Sequence, residues 1–434
     1  MKYNKRSNKK KLPFLVFADA NGKIHSHPYL RMAVSRLEDF FLPEKEDLIP
    51  LPRGSSLFYL PYRYPVGFNL QKGSFEVFRR YEGKEVFAVA AFLIPAYLRL
   101  YNPAYRAKNQ KTMPLWAYTS CGFYGGKFFV TASRVDSRIR QSPRFYDNRL
   151  IKKQVNLFCK NFPNNRLYRH LANCALNYNC LAAKNLFLKR WEAPLPVSKN
   201  CNARCLGCLS FQDSDCVASH ERIRFTPSRE EIYQVMYNHL KQAREPIVSF
   251  GQGCEGEPIL EAKLISSAIA QVREVLSRGT INMNTNASIP KNTEILCRAG
   301  IDSFRVSVNS LRKKFYDFYF KPQGYKFKDV LESIRIAKKY NKFVGINLLV
   351  FPGFTDQEKE VKSLFKFIEN TGIDMIQFRN LNIDPYLYIK ELKLKETLCR
   401  GMLNLVEEIK SKYPGLKTGY FNLPKEMFFN QKEV

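Results

Sequence analysis

The chain has 434 residues, 45% of them hydrophobic, enough for a sizeable buried core, and it holds no apolar run as long as the ~18 residues of a membrane span. The 70 Lys and Arg outnumber the 39 Asp and Glu, and the excess is uneven: residues 1–190 carry a net +23 and the remainder +8. A surface of one sign attracts anions such as RNA or an acidic peptide, although a merely solvated, lysine-rich surface gives the same count.

Residues 1–12 read as a basic tail rather than a signal peptide. The apolar run after them is short, and Asp19-Ala20-Asn21-Gly22 has the chemistry of a hairpin turn. Residues 13–148 read as a β-rich domain for substrate or partner binding. Within it, Val86–Leu98 reads as a buried strand, and Tyr118–Val135 as two strands around Gly125-Gly126. Residues 149–192 form a predicted helical bridge, broken at Asn164-Asn165, that carries Cys174 and Cys180. Residues 193–390 alternate strand and helix. The predicted strands are Pro194–Ser198, Ile247–Gly251, Thr280–Thr285, Ser303–Val308, Val344–Val350 and Met375–Phe378. Six strands with a helix in each gap imply an α/β fold with a parallel sheet, either a barrel or open. In both, ligands sit at the C-terminal strand ends. Residues 391–434 read as a C-terminal helical extension.

Eleven cysteines in a chain read as cytoplasmic point to metal or redox chemistry rather than a disulfide frame, and eight of them fall from Cys159 to Cys254. Directly after the first predicted strand stands Cys201-Asn-Ala-Arg-Cys205-Leu-Gly-Cys208. Three thiolates on one short loop can each bind one iron of a cubane cluster, which leaves the fourth iron open to a small molecule. The alternative is a zinc knuckle completed by Cys216 or His220, although zinc sites more often use C-x-x-C pairs. After the second predicted strand comes Gly251-Gln-Gly-Cys-Glu-Gly256-Glu257-Pro258, a glycine-rich loop suited to close backbone approach.

The two motifs together, each behind a strand and about 50 residues apart, resemble the radical S-adenosylmethionine (radical SAM) superfamily over residues 193–385. The resemblance implies a partial (β/α)6, TIM-like barrel. It implies a 4Fe–4S cluster on Cys201, Cys205 and Cys208, with SAM on the open iron and seated by Gly256, Glu257 and Pro258. Reductive cleavage of SAM would then yield a 5′-deoxyadenosyl radical that abstracts hydrogen from a substrate. A low-potential electron donor such as flavodoxin or ferredoxin is implied as a partner. Glu255 stands where the family has glycine. Gly207 stands where many members carry an aromatic residue near the adenine. Thr285, Asn286, Ser307 and Asn309 at strand ends, Asn347 on the fifth strand, and Gln377 and Arg379 at or after the end of the sixth are further candidates for SAM contacts, with turn formation as the equal alternative for each.

Cys254 sits where it could donate a hydrogen atom to a substrate radical; a small residue filling a tight loop is the plainer account. Cys159, Cys174 and Cys180 are the candidate second metal group, with buried free thiols as the alternative. Cys297 and Cys399 read as buried within helices. Three tasks differ in class: modification of a macromolecule (RNA or a peptide), conversion of a small metabolite, and non-catalytic zinc-stabilised binding of nucleic acid.

Overall fold

Strand-forming runs between Phe14 and Arg134 pair into an 11-stranded antiparallel sheet in the computed structural model, which describes residues 11–109, 111–212 and 218–429. Tyr118–Tyr124 and Lys127–Arg134 form the expected hairpin, with Tyr124 opposite Lys127 and positive φ at both Gly125 and Gly126. That pair of left-handed residues matches the twist of the strands on either side. The Asp19 carboxylate accepts from the Asn21 and Lys23 amides, closing the first turn. The run Val86–Leu98 is not one strand but two, Phe87–Phe92 and Tyr97–Arg99, because Pro95 and the positive φ of Ala96 interrupt it. One face buries Val16, Ala18, Val89, Ala91, Cys121, Val130 and Ala132.

This first unit also takes residues 350–362 and 379–412, unlike the continuous blocks 193–390 and 391–434 expected from sequence. Buried polar pairing explains the difference. Arg63 and Asp384, both 1% exposed, form an ion pair at 3.2 Å. The Asp384 carboxylate accepts from the Met113 amide, and the Asn380 side chain from the Arg99 amide. A buried charge left without such a partner is costly, so these segments are pinned.

The second unit comprises residues 138–349, 363–378 and 413–434. It opens with helices α1 (Asn148–Asn161), α2 (Arg166–Leu176) and α3 (Leu181–Phe187). Asp147 caps α1 and Asn165 caps α2, each side chain accepting from backbone amides of the first turn. Seven parallel strands follow: β1 (Arg190–Pro194), β2 (Arg244–Phe250), β3 (Thr280–Thr285), β4 (Ser303–Val308), β5 (Phe343–Val350), β6 (Met375–Asn380) and β7 (Lys417–Gly419). They lie side by side in chain order as a curled half-barrel. Helices α4 (Arg229–Gln242), α5 (Ala262–Val275), α6 (Pro290–Ala299), α7 (Lys313–Phe320) and α8 (Phe327–Lys339) cross between successive strands. All six residues of β3 are buried, as expected for a sheet covered on both faces.

Three differences from expectation bear on the site. The first strand ends at Pro194 rather than running from it to Ser198. A seventh strand, β7, lies in the region expected to be helical. Cys399 pairs with Gln357 in an isolated bridge ahead of a helix that starts only at Met402, so it is not helical. Phe343, Met375, Leu423 and Phe428 pack together at the N-terminal ends of β5 and β6. That end is plugged, and the strand C-termini are left for chemistry.

Candidate functional site

The loop after β1 is shaped by a carboxylate. Beyond the Leu195 amide, which still bonds to the Ser249 carbonyl, the amides of Val197 and Ser198 turn away to the Glu255 side chain at 2.8 and 3.1 Å. The same carboxylate accepts from Gly251 and Gln252 at 2.5 and 3.1 Å. Glu255, 4% exposed, therefore staples the end of β1 to the turn after β2. Burial pushes its carboxyl up to about 7, opposed by those four amides.

Two backbone bonds lock the next residues onto the cysteine loop. The Gly256 amide donates to the Ser198 carbonyl at 2.7 Å, and the Glu257 amide to the Asn200 carbonyl at 2.8 Å. A Cβ on Gly256 would lie 2.0 Å from the Asn200 oxygen, so only glycine permits this approach. The Glu257 carboxylate accepts from Thr285 Oγ1 at 2.5 Å, the Asn286 amide at 2.8 Å and the Ile259 amide at 3.0 Å. Glu257 thus joins the glycine-rich loop to the end of β3, and burial raises its carboxyl to about 7. Asn286 Nδ2 then reaches back to Asn202, inside the cysteine motif, at 2.8 Å. Pro258 is buried at the start of a short 3-10 turn, Pro258–Glu261.

Cys201, Cys205 and Cys208 all lie on this braced loop and are partly accessible. The loop is also tied to the end of α7: the Arg204 and Leu206 amides donate to the carbonyls of Phe320 and Tyr319. Burial drives the Cys201 thiol up to about 12, with the nearby Glu257 charge adding to it, and likewise raises Cys205 well above its ordinary value. Such thiols give up their protons to a bound cation, whose charge offsets the desolvation cost of the thiolates. Arg222 Nη2 approaches Cys208 Sγ at 3.5 Å, while its Nε donates to Ser210 Oγ at 3.1 Å. Neither Arg222 nor Ser210 carries a local sequence signal for this role. Among the residues of the zinc-knuckle reading, Cys216 lies outside the described residues, and His220 bonds through its amide to the Leu209 carbonyl.

The remaining strand-end candidates divide. Asn347 Nδ2 donates to Ser307 Oγ at 3.4 Å, and Asn347 Oδ1 is a buried acceptor with no hydrogen-bond partner. Asn309 Nδ2 donates to the Phe315 carbonyl. Gln377 is bound on both sides, by Arg305 at 3.0 Å and Asn422 at 2.8 Å, in a polar network lining the barrel, so it acts as a strut. Arg379 is counted with the first unit. Cys254, 3% exposed, brings its thiol within 4.8 Å of the Cys174 sulfur. Cys174 stands with His170 and Cys254 rather than with Cys159.

A thiolate triad, a glycine cradle closed to any side chain and an unsatisfied amide oxygen fit a 4Fe–4S cluster with SAM. Residues 195–365 match the family model described as Radical SAM superfamily, so the chain contains a radical SAM domain. Domains of this class are enzymes that take SAM and a 4Fe–4S cluster as cofactors. No curated protein matches the chain. Solved structures similar to it include Streptococcus suis SuiB bound to its precursor peptide SuiA, at 16% identity and TM-score 0.38, covering 58% of this chain and 53% of that one. Another is HydG, a maturase of the FeFe hydrogenase, at 18% identity and TM-score 0.38, covering 62% and 61%. A third is the radical SAM methyltransferase TsrM from Kitasatospora setae with cobalamin and a 4Fe–4S cluster bound, at 13% identity and TM-score 0.35, covering 45% and 37%. The chain therefore spans less than two thirds of the length of these structures. Among the described residues, no helix is long and apolar enough to cross a membrane.

Proposed function

We propose that this chain is a radical SAM enzyme that acts on a macromolecule, RNA in the first instance. The observation that carries the enzymatic reading is the locking of Gly256 and Glu257 onto the Cys201–Cys208 loop by two backbone bonds. When bound, the reduced cluster would supply the electron that cleaves SAM to give a 5′-deoxyadenosyl radical for hydrogen abstraction. Cys201, Cys205 and Cys208 hold the cluster, and Arg222 and Ser210 attend the Cys208 sulfur. Gly256 presents backbone at the closest approach, while Glu255 and Glu257 keep that backbone rigid through buried hydrogen bonds. The Asn347 side-chain oxygen offers an unused acceptor on β5.

Two further assignments belong to the same reading. Electrons come from a low-potential carrier such as flavodoxin or ferredoxin, and the reaction runs in the cytoplasm, where free thiols persist. RNA is favoured over a small metabolite by the first unit, which exposes Tyr29, Tyr59, Tyr62, Phe75, Tyr81 and Tyr124 in the strongly basic part of the chain. Exposed aromatics among cations suit stacking on single-stranded bases.

The test is anaerobic purification, reconstitution with iron and sulfide, and assay of 5′-deoxyadenosine after reduction with SAM. About four irons per chain and slow deoxyadenosine release are expected, both lost in Cys205→Ala. Zinc without iron, and no SAM cleavage, would sink the reading.

A further inference from the structure

Away from the cysteine loop, α2 carries His170 and Cys174 four residues apart, hence on one face of the helix. His170 Nε2 stands 3.6 Å from Cys174 Sγ. Cys254, on the loop after β2, reaches the same point from the barrel. The three ligand atoms lie within 4.8 Å of one another, a convergence no other group of this kind attains among the described residues. Cys174 and Cys254 are 2% and 3% exposed, so two thiols and an imidazole meet in a nearly dry space. Cys180, the N-cap residue of α3, donates its amide to the Cys174 carbonyl at 2.9 Å, but its thiol is not among the converging ligand atoms.

We propose that His170, Cys174 and Cys254 form a zinc site in the second unit, separate from the cluster loop. Distance selects an ion over a second cluster. With zinc bonded to nitrogen at about 2.0 Å and to sulfur at about 2.3 Å in a tetrahedron, ligand nitrogen and sulfur come to roughly 3.5 Å apart. The observed 3.6 Å matches. Thiolates on separate irons of a cubane must stand farther apart than that. One imidazole with two thiolates is a soft donor set of the kind zinc takes, and water fills the fourth tetrahedral position.

The position gives the ion a task. Cys254 is adjacent to Glu255 and two residues from Gly256, so zinc would fasten α2 to the loop whose backbone meets the cysteine motif. The helical bridge and the SAM-facing loop would then be held as one piece. Sequence distance hid this site, because Cys254 lies 80 residues beyond Cys174. Cys159, which sequence proximity suggested as a ligand, is not in the group.

The experiment uses the full chain with the cluster loop disabled, as the triple variant Cys201→Ala, Cys205→Ala, Cys208→Ala, so that its outcome is independent of SAM chemistry. Zinc is counted after exhaustive dialysis, and cobalt(II) is exchanged in to report thiolate charge-transfer and tetrahedral d–d absorption. The expected result is about one zinc per chain with a tetrahedral cobalt spectrum that carries thiolate charge-transfer bands. Adding Cys174→Ala or Cys254→Ala should lower zinc at least tenfold, and His170→Cys should retain it where His170→Ala does not. If an added variant fails to fold, the cobalt spectrum of the folded triple variant decides alone. Absence of the thiolate bands there, zinc content indifferent to Cys174→Ala and Cys254→Ala, or a Cys174–Cys254 disulfide found by alkylation and mass spectrometry overturns the proposal.

Discussion

At the scale of single residues, the most informative position is one that departs from the family's pattern. Glu255 stands where a glycine is usual, yet its carboxylate satisfies four buried amides from two loops. Restoring the family's residue, Glu255→Gly, should therefore weaken the protein. It leaves buried donors without partners, at a cost of about 2–4 kcal/mol, read as a lowered denaturant midpoint with an unchanged slope. An unaltered midpoint would mean that water replaces the carboxylate fully. Gly256 makes the opposite point. Gly256→Ala forces a methyl to within 2.0 Å of the Asn200 carbonyl, so the cysteine loop must shift. Iron retention and deoxyadenosine formation should each fall at least tenfold. Gly415→Ala is the control, because a Cβ there meets nothing within 4 Å; it should leave both readings unchanged.

At the scale of elements, helix α4 shows how a terminus becomes a joint. Ser228 caps it, and Glu231 completes the capping box by accepting from the Ser228 amide at 2.7 Å. The same carboxylate takes the Arg166 amide and guanidinium at the start of α2, at 2.8 and 2.7 Å. The Arg166 guanidinium is the chief reason that Glu231 is held down to about 2, with burial working against it. A carboxyl depressed in the folded state stabilises fully above its unfolded value near 4.5, and that contribution drains as pH falls toward about 2. Glu231→Gln should thus destabilise the chain by about 1–3 kcal/mol at pH 7, and the gap between parent and variant should narrow below pH 4.5 and close only as pH falls through about 2. Denaturant unfolding across that range checks it, and a gap that persists at low pH would locate the effect in packing rather than charge. The elements themselves were readable to different degrees. Strands β2 to β6 were legible because each is a short run carrying Ile, Val, Leu, Met or Phe between helix-like segments. β1 was misplaced because its continuation bonds to Glu255 instead of a neighbouring strand, a tertiary substitution that no local pattern reveals. β7 was missed because three residues, Lys417–Gly419, with one buried position carry no apolar signal. The three cluster cysteines were legible because their chemistry is contiguous. Arg222, Ser210 and the His170–Cys174–Cys254 group were not, because folding alone assembles them.

At the scale of the whole molecule, charge is the property that the fold does not consume. Buried pairs such as Arg63 with Asp384 use a few cations, but the excess in residues 1–190 is a net +23 that internal acids cannot neutralise. Such a field raises the local concentration of polyanions whatever the reaction chemistry. If the exposed tyrosines of the first unit stack bases and its cations meet phosphates, single-stranded RNA should bind with a steep salt dependence. Each phosphate neutralised releases counterions, with a slope near −0.7 per contact on a log–log plot. Five contacts would therefore cost about a hundredfold in affinity between 50 and 200 mM salt. Replacing Tyr59 and Tyr62 with alanine should weaken binding at every salt concentration while leaving that slope unchanged, since stacking carries no counterion term. Fluorescence anisotropy with a labelled single strand separates the two contributions. A shallow slope with affinity weaker than about 1 mM would remove RNA as substrate and favour a small metabolite, with the charge left as a solvating surface.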